Sequence, residues 1–274
     1  MSSEHRTATD RRRRTAGLSE TRLIALGVYL VALVAWLSVI GGWLPMPGTG
    51  SGGTAASMAM ADPGAPEAMA TGSGLTGWVL YLVMWTVMMV AMMYPSSVPL
   101  VRMYHGTLAG RPKHERLGRV GAFLGGYTLV WAGVGVVPLV VNQFVPLARV
   151  AGSGVLLGGT LLLLGVYQLS PYKDRCLSHC RTPLGFLLTH SRPGVGGAAR
   201  MGIGHGRFCL GCCWALFAFM VVVGTMNVVW MAVITAVLSV ERTVSWGDRL
   251  ARGVGVVAGV GGVVVLAATV GGLL

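Results

Sequence analysis

Six apolar runs limit what this chain can become: residues 23–40, 77–94, 120–141, 150–169, 208–240 and 253–270, each at least 18 residues long. A helix rises about 1.5 Å per residue, so about 20 apolar residues cross the roughly 30 Å hydrocarbon core of a bilayer. The longest run, 208–240, would reach about 50 Å as one straight helix. A break near Asn227 relieves that excess and returns 241–252, with its three Arg, to the side where Lys and Arg collect. Composition agrees with a membrane solvent: 54% of residues are hydrophobic and 11% charged, about half the charged share of a soluble domain. The expected fold is all-α, a polytopic transmembrane helical bundle of about six to seven segments. It is expected to be multi-pass in the plasma membrane, with a cytoplasmic N-terminus and the lipid bilayer as its first partner.

The chain divides by composition. Residues 1–22 are polar, carry Arg11 to Arg14 in a row, and are expected to form a disordered basic tail. Segment 23–41 follows positive charge as a signal peptide would. Its length suits a span, however, and Trp43-Leu44-Pro45 is a poor small-residue cleavage site, so an uncleaved first transmembrane helix is expected. Residues 42–76 are rich in Gly, Pro and Ala, with Met46, Met58, Met60 and Met69 among them, and have no Lys or Arg from Pro45 on. They suit a flexible extracytoplasmic linker. Residues 77–272 form the bundle, where Gly125, Gly126, Gly133 and Gly135 offer surfaces for close helix approach. The formal net charge is +12, and segments 102–119 and 172–207 carry much of the basic excess, which assigns them to the cytoplasm. No basic stretch is interleaved with aromatics, so nucleic acid is not an expected partner.

Soft donors gather on the predicted inner side. In HGRFCLGCC, a helix places His205, Cys209, Cys212 and Cys213 within an arc of roughly 100°. In CLSHC, Cys176, His179 and Cys180 fall at i, i+3 and i+4, again on one arc. Cysteine is often a small buried hydrophobe, but thiolates with imidazole suit Cu(I) or Zn(II). Met84, Met88 and Met92 make a stripe, with Met89 and Met93 further round. Met stripes serve packing as well as weak Cu(I) ligation, and five spread over half a circumference cannot all serve one ion. His190 is a weaker further candidate, for which a surface position is the favoured reading. Asn227, Glu241 and Asp248 are polar groups near the bundle, and Arg242 and Arg249 stand ready to pair with the two carboxylates.

Five stretches occur in an order that resembles a known family: MMVAMMYPS at 88–96, YQLSP at 167–171, CLSHC followed by RTPLGF, HGRFCLGCCWAL, and Met226-Asn227 with Trp230-Met231. They are similar to the predicted metal-binding integral membrane proteins often labelled copper chaperones. The resemblance covers about residues 77–241 and leaves out the basic tail and the Met-containing linker. It implies a polytopic membrane protein that binds a soft metal through the Cys and His of the two motifs.

Three functional classes follow. In the first, copper handling or delivery, Cu(I) is held by Cys176, Cys180, Cys209, Cys212 and Cys213 with His179 and His205, while Met88, Met89, Met92 and Met93 offer weaker sites. A copper-requiring protein or a soluble copper carrier would be the partner. The second is a membrane oxidoreductase using the thiols or a bound metal. The third is a structural Zn(II) site in a membrane scaffold. No catalytic residue is singled out, and a non-enzymatic role is favoured.

Overall fold

The computed structural model describes residues 2–44 and 62–271, with side chains from residue 20 onward. Every regular element among them is a helix. In chain order these are α1 (Ser2–Ile40), α2 (Ala65–Gly72), α3 (Gly74–Thr107), α4 (Lys113–Val134), α5 (Val136–Phe144) and α6 (Leu147–Val150). There follow α7 (Gly154–Gln168), α8 (Pro171–Arg181), α9 (Pro183–His190), α10 (Gly194–Val223), α11 (Val228–Thr243) and α12 (Gly247–Val270). Backbone helix in α1 runs through the segment expected to be a disordered tail, while the side chains of 1–19, Arg11 to Arg14 included, lie outside the described residues. So do residues 45–61 of the expected linker, with Met46, Met58 and Met60; its remaining part carries α2.

Among the described residues, five stretches are long and apolar enough to cross a membrane: Glu20–Ile40, Gly74–Thr107, Lys113–Phe144, Gly194–Val223 and Gly247–Val270. Counting the bent pair α7 and α8 as one span makes six. The long run breaks where its length suggested. Helix α10 ends at Val223, Gly224 takes φ 117°, and the Asn227 side chain accepts hydrogen bonds from the backbone N–H of Val229 and Trp230 to start α11. Asn227 is therefore a helix cap, and α11, at 16 residues, is short for a full crossing. At its other end α10 begins at Gly194 rather than near Phe208. The Cys-rich motif thus lies well inside a helix, not at its mouth, because Ala198 and Met201 extend the buried face upstream.

Glycine sets the closest helix contacts. Helices α4 and α10 pack extensively, and a Cβ at Gly126 would strike the Ala199 carbonyl while one at Gly202 would strike that of Phe123. Gly135 lies under the Trp85 indole, whereas Gly125 and Gly133 face open space. Helix α12 lies along α7, and α1 along α3. The outer faces of α1 and α12 remain apolar: Leu23 is 65% exposed and Val257 73%.

Contacts define two ends of the bundle. At one, Phe186 and Leu187 of α9 pack with Leu100 and Tyr104 of α3 and Phe123 of α4, so the basic segments 102–119 and 172–207 meet there. At the other, Glu67 of α2 meets Tyr81 of α3 and Thr225 beyond α10.

Candidate metal centre

A bend delivers the first motif to the second. Ser170 caps α8 by accepting from the Lys173 backbone N–H, and Pro171 occupies the first turn, where its missing N–H costs nothing. Helix α8 leaves α7 at 65° and packs against α10. A buried triad fixes that placement: Lys173 donates to both Glu241 carboxylate oxygens at 3.0 and 2.8 Å and to Gln168, while Gln168 donates to Glu241 at 3.1 Å. Within the triad the buried ammonium and carboxylate are paired, as an apolar interior favours.

The result brings Cys180 Sγ to 3.9 Å from Cys212 Sγ. Cys209 neighbours Cys180, Cys212 and Cys213 and shares a 3.0 Å hydrogen bond with the Tyr127 hydroxyl. The thiols of Cys212 and Cys213 donate to the Cys209 carbonyl at 3.1 and 2.8 Å. They are turned back on their own helix, and among the described residues no three His, Cys, Asp or Glu side chains are arranged to hold an ion together. Cys180 and Cys212 stand apart as a pair that one ion could touch, since a metal–thiolate bond is about 2.3 Å.

Other candidates divide. His205 is buried among Phe123, Tyr127 and Phe186. Its Nδ1 has no hydrogen-bond partner, and the residue lines a cavity of about 180 Å³ with Cys180, Ser96 and Arg242. Cys176 is half-buried, with its Sγ packed over Gly211. His179 faces outward instead: it is exposed, stacks on Phe208 at 4.5 Å, and contacts the Arg175 carbonyl through Nδ1. His190 is half-buried and stacks on Phe186 at 4.7 Å. Met88, Met89, Met92 and Met93 are all buried, in one core cluster with Cys209, Cys212 and Cys213, and the Met93 thioether shares the Arg242 guanidinium with Cys212.

Sequence reasoning missed three participants. Arg242 does not pair with Glu241, which Lys173 holds, and Asp248 pairs with Arg181 at 3.5 Å rather than with Arg249. Adjacent helical residues point about 100° apart, so Glu241 and Arg242 serve different neighbours. The Arg242 guanidinium donates to Cys212 Sγ at 3.5 Å, Met93 Sδ at 3.7 Å and Ser96 Oγ at 2.8 Å. Tyr127 and Ser96 carried no signal of their own in the sequence.

Comparison with known proteins gives this arrangement a family. A family model, PpoB2, described as a copper chaperone, matches residues 82–265. The chain belongs to this copper chaperone family. The match contains Cys176 to Cys180, His205 to Cys213, Arg242 and the buried Met of α3, and it excludes α1 and α2. No curated protein and no solved structure matches the chain.

Proposed function

We propose that this member of the copper chaperone family is an integral membrane protein that binds Cu(I) between Cys180 and Cys212 and hands it on, rather than transforming a substrate. The observation that carries the reading is the 3.9 Å approach of two thiols from separate helices, α8 and α10. Soft thiolates favour Cu(I), which is content with few ligands, whereas a closed structural Zn(II) site takes four. Cys209 and Cys213 adjoin the pair and could receive the ion in turn, Met93 shares Arg242 with Cys212, and His205 Nδ1 is an unused donor in a residue that lines the cavity. Exposed valine and leucine faces on α1 and α12 support insertion, since a soluble protein rarely leaves such patches open.

The same two thiols favour a second reading, a reversible disulfide in a membrane oxidoreductase. One experiment separates them. Detergent-purified protein should take up Cu(I) under reducing conditions, and Cys180→Ser with Cys212→Ser should remove at least one bound ion per chain. Full retention of stoichiometry in that double variant ends the copper reading. A dithiol that titrates reversibly while no metal binds would favour the oxidoreductase.

A further inference from the structure

A guanidinium among thiols is an unusual use of a buried charge. Arg242 is 8% exposed, and no carboxylate forms an ion pair with it among the described residues. Its partners are a thiol, a thioether and a hydroxyl, and its Nε has no acceptor. Glu241, the adjacent carboxylate, is fully engaged by Lys173 and Gln168 on another side of α11. An uncompensated cation in such a place is costly unless an anion arrives to match it.

We propose that Arg242 is the charge-selecting residue of this centre, making it prefer a monovalent soft cation over a divalent one. The inference rests on Cys180 and Cys212 being the metal thiolates. Binding releases their two protons, so Cu(I) held by two thiolates leaves one net negative charge, which the guanidinium 3.5 Å from Cys212 Sγ neutralises. Zn(II) in the same pair is already neutral, and Arg242 then remains as an unmatched buried cation. Because both charges sit in a low-dielectric interior, this difference is weakly screened. Arg242 thus acts on selectivity without being a ligand, and its hydrogen bonds to Ser96 and Met93 fix where the charge lies.

The test compares Cu(I) and Zn(II) affinities, each by chelator competition, in full-length purified protein. Arg242→Gln should weaken Cu(I) binding by about 100-fold, the scale of losing one partner of a buried ion pair, while Zn(II) binding holds or tightens. Arg242→Lys, which keeps the charge, should recover at least a tenfold part of the lost preference. Should the Gln variant not be recovered as a monodisperse helical protein, Arg242→Leu is measured in its place. A Cu(I) to Zn(II) affinity ratio within threefold of the parent in the neutral variant overturns the proposal, as does a Lys variant no better than the neutral one. Failure of the underlying reading looks different: the parent binds no Cu(I), or the Cys180/Cys212 double Ser variant keeps it.

Discussion

Glu67 shows how much one residue can be constrained outside the metal centre. It is fully buried, Tyr81 and Thr225 donate to its Oε1 at 2.8 and 2.6 Å, and its Oε2 has no partner. Burial pushes its carboxyl above the usual carboxylate range, and the hydrogen bonds from Thr225 and Tyr81 pull it back only in part. The folded state therefore holds this proton more tightly than the unfolded chain. Its stabilisation is complete below the ordinary carboxylate value and fades as pH rises through the raised one. Thermal unfolding in detergent should occur at progressively lower temperature as pH climbs from about 4.5 toward neutrality. Glu67→Gln keeps an acceptor for Tyr81 and Thr225 and should flatten that slope, leaving the variant at least as stable as the parent at neutral pH. An unchanged slope in the variant would show that another group titrates. At this scale the sequence placed Cys209, Cys212, Cys213 and His205 correctly on one buried face, because helical spacing alone decides that. It could not place His179 or Arg242. The i+3 position of His179 lies at the margin of its arc, where Phe208 draws it outward, and the pairing of Arg242 depends on Lys173 from a distant helix.

Helices α4 and α10 carry Tyr127 and Cys209, so their separation governs the hydrogen bond between those residues. The contact is set by backbone, not by side chains: a methyl at Gly202 meets the Phe123 carbonyl, whereas one at Gly204 meets nothing within 4 Å. Gly202→Ala should therefore destabilise by about 1–3 kcal/mol through overpacking and weaken Cu(I) binding as the helices part. Gly204→Ala should be neutral or stabilising by up to about 1 kcal/mol, the difference in helix propensity. Apparent melting temperatures of the two variants, measured side by side, check this, and equal values would mean that the helix interface yields. Element boundaries were legible where a residue type enforces them: Asn227 and Gly224 end the long run. Of the 65° turn at Pro171 the sequence showed only that the apolar run 150–169 ends just before a proline. Pro suits the first turn of a new helix as well as the end of an old one, and what chooses between them is the surface of α10 on which α8 lands.

For the molecule as a whole, side matters more than site. The basic segments 102–119 and 172–207 meet at one end of the bundle through α9, while α2 and Thr225 close the other. If positive charge marks the cytoplasmic end, the cavity walled by Cys180, His205 and Arg242 is approached from the cytoplasm, where thiols are kept reduced. Cys176 and Cys180 are the two cysteines not fully buried, so they report on this directly. A membrane-impermeant maleimide should label them in inside-out vesicles and leave them untouched in intact cells. Prior loading with Cu(I) should slow the labelling of Cys180 at least tenfold while changing Cys176 less, because the proposed ion sits between Cys180 and Cys212 and Cys176 packs instead over Gly211. Labelling from the outside of intact cells would invert the orientation. The same donors would then have to collect copper at the outer surface, and the basic end of the bundle would need another explanation.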